Sequence, residues 1–223
     1  SIRLFQGGKM SLTKSLSIPV RTVLLTLLLL CVAGRASAEM LSGSALVEHL
    51  RQGGYVLLMR HASSPAALPD KHSADPQNTA LERQLDDRGR SSATAMGQAI
   101  KRLGIPIGAV LSSSTYRALE TVHLASFGAA KTYSQLGDGG QSMQASAIAG
   151  QSDWLREKVS ERPAPGSNTI IVTHMPNIVA SFDGVASDLT DGEALVFQPK
   201  ENGKSDLVAK IKIEDWPSFT QKQ

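Results

Sequence analysis

An arginine and a histidine close the apolar run Leu57-Leu58-Met59-Arg60-His61, and a second histidine closes Thr169-Ile170-Ile171-Val172-Thr173-His174. A third apolar stretch, Ala109-Val110-Leu111, gives way to Ser112-Ser113-Ser114-Thr115-Tyr116-Arg117. In an open parallel sheet the ligand crevice lies beyond the carboxyl ends of the strands, so polar residues placed just after buried strands are the ones that reach it. Three such endings imply one pocket holding two imidazoles, two guanidinium groups and several hydroxyls. Planar, permanently charged guanidinium groups match the spread negative charge of a phosphoryl group with forked hydrogen bonds. Arg60 and Arg117 suit that role, and Ser64 is a further candidate phosphate donor, as are Ser63 and Ser113. A neutral, oriented imidazole can attack phosphorus and split hydrolysis into two easier steps. His61 is the expected nucleophile, kept unprotonated by the neighbouring cations. His174 is expected to stabilise charge on the equatorial oxygens as a protonated donor.

The elements that must position these residues alternate along the chain. Ser44 to Gln52 reads as a short amphipathic helix stopped by Gly53-Gly54, and Tyr55 to Met59 as a buried strand. Asp87 to Leu103 is the clearest helix, with Ala93, Met96, Gly97 and Ile100 on one face and Gly104 after its end. Asp86 and Asp87 are its expected N-terminal caps. A strand at Ala109–Leu111, a helix at Tyr116–Phe127, a short strand at Lys131–Ser134, a helix at Asp153–Glu161, the strand Thr169–Thr173 and a brief helix at Asn177–Phe182 follow. The strands Ala194–Gln198 and Leu207–Ile213 flank the turn Glu201-Asn202-Gly203-Lys204. Strand and helix in rotation predict a three-layer α/β/α sandwich with a mostly parallel central sheet. The long polar stretches Ala62–Leu85 and Gly137–Gly150 are read as substrate-side walls.

The first 38 residues read differently. Met10 to Ala38 carries Lys14 and Arg21, the apolar core Val23–Leu30 and the small-residue site Ala36-Ser37-Ala38, the pattern of a cleaved secretory signal too short to span a bilayer comfortably. Residues 1–9 precede the expected initiator and carry no fold argument; residues 39–223 form the expected mature domain. The chain as a whole has 23 basic and 20 acidic residues, a net charge of +3. Five of the basic residues (Arg3, Lys9, Lys14, Arg21, Arg35) and no acid lie before Glu39, which leaves 18 against 20. A nearly neutral mature chain excludes the broad basic footprint of a nucleic-acid or anionic-membrane binder. The single cysteine, Cys31, falls inside the leader, so the mature protein is expected to have no disulfide and no cysteine metal site. Export places it in the periplasm or outside the cell, without a membrane anchor.

Leu58-Met59-Arg60-His61-Ala62, Ser112–Thr121 and Val172-Thr173-His174-Met175-Pro176-Asn177 together resemble the three signature segments of the histidine phosphatase superfamily, also called phosphoglycerate mutase-like. Arg83–Arg90 through Gly104-Ile105-Pro106, and Asp191–Phe197, are similar to its small bacterial phosphatase branch. The resemblance implies that His61 is phosphorylated, that Arg60 and Arg117 bind phosphate, that His174 is the second pocket histidine, and that no cofactor or metal is needed. The proton-donating carboxylate of the family has no clear counterpart: Asp138 lies near its expected place, and Glu193, Asp183 and Asp75 are rivals. The His-Asp pair of the acid phosphatase branch is missing, because Met175 follows His174. The implied substrate is a small phosphorylated molecule or a phosphoprotein. A weak acid favours phosphoramidates or esters of acidic alcohols, whose leaving groups depart without a delivered proton. The competing reading is a phosphate-recognising binding protein on the same fold.

Overall fold

The structure is a computed structural model, and it describes Ile2 and residues 40–65, 79–138 and 150–221. The expected leader, residues 10–38, lies outside the described residues, as do His72, Asp75 and most of the Gly137–Gly150 stretch. All the elements below belong to the compact unit Ala38–Gln223. They are helix α1 (Gly43–Gln52), strand β1 (Val56–Arg60), α2 (Asp87–Arg102), β2 (Ile107–Ser112), α3 (Tyr116–Leu124), β3 (Lys131–Thr132), α4 (Gln151–Ser160), β4 (Asn168–Thr173), α5 (Met175–Ala186), β5 (Ala194–Pro199), β6 (Ser205–Ile211) and the short α6 (Trp216–Phe219). Among the described residues no helix is long and apolar enough to cross a membrane.

The six strands form one sheet in the order β3-β2-β4-β1-β5-β6. β1, β2, β3 and β4 pair in parallel, and β5 is antiparallel to both of its neighbours. The successive residues of β1 are buried on alternate faces. Leu57 and Met59 join the core with α1, α2, α3 and Trp216, whereas Val56 and Leu58 join the core with α4 and α5. That is why β1 reads as an unbroken apolar run, and it makes the three-layer α/β/α sandwich with a mostly parallel sheet that the pattern implied. Gly97 lets α2 approach the end of α3, since a Cβ there would lie 2.0 Å from the Ala125 carbonyl oxygen.

α3 and α5 differ most in extent from their sequence pattern. α3 stops at Leu124 rather than Phe127, and Ser126 just beyond it takes a positive φ of 56°. α5 runs from Met175 to Ala186, with a break at Phe182 (φ −139°, ψ 45°), the residue at which the apolar pattern ended. Pro176 starts this helix early because its missing N–H is not needed in the first turn.

Candidate active site

The register of the parallel strands brings the three motifs together. Arg60 pairs with Thr173 and Ser112 with Val172, so the residues that follow, His61, Ser113 and His174, leave the sheet side by side. Backbone bonds from His61 N to Thr173 O (3.0 Å) and from Ser113 N to Val172 O (2.9 Å) carry the pairing one residue past the strands. The segment after His61 is clamped on both sides. Ala62 N donates to Thr121 Oγ1 of α3 at 3.1 Å, and Ser63 Oγ donates to Asp86 Oδ2 at 2.8 Å. Asp86 also caps α2 by accepting from Gly89 N at 2.7 Å, which confirms the expected cap and ties the helix start to the site. Gly89 allows the close approach; a Cβ there would lie 2.1 Å from Ser63 O. On the other side, Asn177 Nδ2 donates to Gly137 O at 2.5 Å and Thr173 Oγ1 donates to Leu136 O at 2.9 Å, holding the turn that delivers Asp138.

Arg117, in the first turn of α3 and fully buried, organises the centre. Its Nε donates to His61 Nε2 at 3.1 Å, and its Nη2 donates both to Asp138 Oδ2 and to His174 Nδ1, each at 3.0 Å. The two imidazole rings are 5.1 Å apart, centroid to centroid. A guanidinium can only donate, so these contacts assign both tautomers. His61 carries its proton on Nδ1, which donates to Ala62 O at 2.8 Å, and His174 carries its proton on Nε2, within 2.9 Å of Ser113 Oγ and 3.2 Å of Thr115 Oγ1.

Electrostatics agree with that assignment. Burial foremost, then the Arg117 charge, pulls His61 from 6.5 down to about 3, against the opposing pull of its bond to Ala62 O. The ring is neutral, with its Nε2 lone pair accepting from Arg117 Nε. The same causes, burial first and Arg117 second, hold His174 well below 6.5. In the free protein His174 is therefore a neutral ring whose Nδ1 accepts from Arg117 Nη2.

The remaining expected residues are placed as follows. Arg60 lies at the rim, its Nη2 paired with Asp191 Oδ1 at 2.7 Å and its Nη1 donating to Leu189 O at 3.3 Å. It is close enough to the centre to oppose protonation of both histidines. Ser64 is buried, but its Oγ donates to Gln84 O at 2.6 Å and accepts from Arg83 Nε at 3.0 Å. Its hydroxyl therefore fixes Arg83, in place of the phosphate contact expected of it. Asp138 is in the site, and both it and Arg117 have side chains only 1 % exposed. Its Oδ2 accepts from Arg117 Nη2 at 3.0 Å. Glu193 is buried and its side chain accepts from Thr190 N and Oγ1, both at 2.9 Å; Asp183 is exposed on α5. Among the described residues no three histidine, cysteine or carboxylate side chains cluster to hold a metal ion.

Sequence reasoning missed Arg83 and Glu82 as site residues. Arg83 donates from Nε to Ser64 Oγ and from Nη2 to Ser64 O, and its charge adds to those of Arg117 and Arg60 in opposing protonation of both histidines. Glu82 is buried and accepts from Tyr116 N at 2.5 Å, holding the start of the helix that carries Arg117. Both lie in the long loop before α2, where no periodicity points to a site.

A family model for the histidine phosphatase superfamily (branch 1) matches residues 56–137, the stretch that runs from β1 through Arg117 to the turn before Asp138. Over that stretch the chain resembles the histidine phosphatase superfamily. Its fold is similar to that of a protein histidine phosphatase SixA solved with tungstate, with a TM-score of 0.52 and 17 % identity over 72 % of this chain and 98 % of that one. A phosphoserine phosphatase from Entamoeba histolytica, solved as a mutant with phosphoserine, is also similar (TM-score 0.48, 12 % identity, 72 % of this chain and 98 % of that one). No curated protein matches the chain. Arg60, His61 and Arg117 lie within the matched stretch, and His174 lies beyond it, directly after β4.

Proposed function

We propose that this histidine phosphatase domain hydrolyses phosphoramidates, phosphohistidine above all, or phosphate esters of acidic alcohols through a phosphohistidine on His61 Nε2, without a metal. The observation that carries the reading is the neutral His61 ring, anchored through Nδ1 on Ala62 O, with its Nε2 lone pair held by Arg117 Nε and its protonation opposed by the charges of Arg117, Arg83 and Arg60. Guanidinium donors bond a phosphoryl dianion more strongly than a neutral imidazole, so Arg117 Nε exchanges His61 for a phosphoryl oxygen as substrate enters. The freed Nε2 lone pair then forms the P–N bond while the leaving group departs with its electron pair. Water attacks phosphorus in the second step, and the P–N bond electrons return to Nε2. Arg117 and Arg83 balance the charge on the equatorial oxygens, and Arg60 does so from the rim.

The substrate preference follows from Asp138. Its partnership with Arg117 leaves the site without a ready general acid, which costs least when the leaving group is a good one. The neighbour with tungstate in its structure, a tetrahedral oxyanion, is named for the same class of phosphate bond. The leader pattern of residues 10–38 supports action in the periplasm or outside the cell on a soluble phosphorylated molecule or a phosphoprotein. A panel of phosphohistidine, aryl phosphates and alkyl phosphates tests the proposal. Turnover should be fastest for the phosphoramidate, next for aryl esters and slowest for alkyl esters. Binding of all three with turnover of none would assign the pocket to a phosphate-binding protein, a reading that Arg117's occupation of the nucleophile's lone pair would then explain.

A further inference from the structure

A cavity of about 420 Å³ lies beside Arg60, walled by the start of α2, by residues 189–191 before β5 and by residues 213–214 after β6. It borders the reactive centre, because Arg60 directly precedes His61 and Ser63 also lines it. One segment holds the Arg60 guanidinium there: Nη1 donates to Leu189 O at 3.3 Å, and Nη2 lies 2.7 Å from Asp191 Oδ1. That last contact joins two charges without hydrogen-bond alignment. Arg60 Nε and Asp191 Oδ1 are therefore a buried donor and a buried acceptor, neither with a hydrogen-bond partner among the described residues. Each carries a desolvation cost that a ligand group placed between them removes.

The charges on the wall decide what that group is. Arg60 and Arg88 stand against Asp191 and Glu214, so the cavity has no net charge. A second phosphate or a carboxylate would have to part Asp191 from Arg60 and then face both carboxylates. An uncharged amide meets both unsatisfied atoms at once, its C=O accepting from Arg60 Nε and its N–H donating to Asp191 Oδ1. Arg88 and Glu214 have side chains 74 % and 45 % exposed, so the occupant can continue from there into solvent. We propose that this cavity receives an uncharged, amide-bearing part of the substrate beyond the phosphoryl group, as a peptide main chain supplies, and that Asp191 is the specificity-determining residue that turns an anionic one away.

The inference rests on the reading of the neighbouring site as a phosphoryl pocket, and two substrates with the same leaving group separate the two. N-acetyl-phosphotyrosine and its C-terminal amide differ by one carboxylate charge, and p-nitrophenyl phosphate serves as a reference without an amide. The full domain should prefer the amide to the acid by about tenfold in kcat/KM, the scale of one like charge at a half-buried site. Asp191→Asn should bring the two near parity; comparing the ratio cancels any change that both substrates share. Should Asp191→Asn fail to fold, Glu214→Gln, on the exposed side of the cavity, should narrow the preference in the same direction. Ser92→Tyr, which fills the cavity from α2, should slow the amide about tenfold and leave p-nitrophenyl phosphate unchanged. An amide-to-acid ratio that neither charge variant moves, or a Ser92→Tyr that affects all substrates alike or none, overturns the assignment of the cavity and leaves the phosphoryl reading standing. If nothing is turned over, calorimetric affinities for the two tyrosine compounds are compared in the same way, and failure of the wild type to bind either overturns both readings.

Discussion

Replacing Asp138 with asparagine removes a charge from a fully buried ion pair while keeping the side chain's shape, and the consequence is large because of what remains. Arg117 and Asp138 are each 1 % exposed and 3.0 Å apart, so the guanidinium left behind can recover little solvation. Breaking a buried pair from one side costs about 3–5 kcal/mol, mostly the penalty of the uncompensated charge. Urea unfolding at pH 7 should show that loss as a lower midpoint with an unchanged slope. The double variant Arg117→Met, Asp138→Leu should recover most of it, since neither charge is then buried alone. Kinetics separate this structural role from proton donation. A general acid would slow alkyl esters by ~10²–10⁴-fold and leave p-nitrophenyl phosphate nearly untouched, whereas a partner of Arg117 affects both alike. A single variant within ~0.5 kcal/mol of the parent would refute the reasoning, because it would mean that Arg117 finds its balance elsewhere.

Other outcomes follow from the same geometry. His61 is held at about 3 and His174 well below 6.5, so between those values the unfolded chain binds protons that the native one does not. Stability therefore falls as pH falls through 6.5, by about 2 kcal/mol from His61 alone at about pH 5, and His174 acts in the same direction. Urea midpoints that stay flat from pH 7 to 5 would contradict it. EDTA should leave turnover unchanged, because arginines occupy the places where a metallophosphatase has metal ligands; recovery of a lost activity by one added metal would count against that. Export should remove residues 10–38, giving an intact mass that begins at Glu39. A mass that retains the leader would contradict the assignment.

The parts of the site that follow strands were legible because the sheet's register does the assembly. Apolar runs ending in Arg60-His61 and Thr173-His174 announce buried strands, and parallel pairing then sets the two histidines side by side. Arg117 was legible for a similar reason, being in the first turn of the helix after β2. What escaped was set by tertiary contact. Arg83 and Glu82 belong to a loop whose course depends on Ser64 and on the start of α3, and no local pattern encodes either contact. The neutral state of the free His174 ring had no signal in the residue types, because it comes from burial and from the guanidinium bonded to Nδ1. The extra length of α5 had a signal, Pro176, which is favourable in a first helical turn.

The central claim is that His61 forms a covalent bond to phosphorus. Rapid acid-free quenching of the domain with a ³²P-labelled phosphoramidate or aryl phosphate, followed by peptide mapping, tests it most directly. The account requires one base-stable, acid-labile phosphate per domain on the peptide containing His61, formed faster than turnover and absent from folded His61→Ala. Undiminished hydrolysis by folded His61→Ala, or turnover with no trapped phosphate on His61 under conditions in which release of the phosphoryl group is slow, would contradict it.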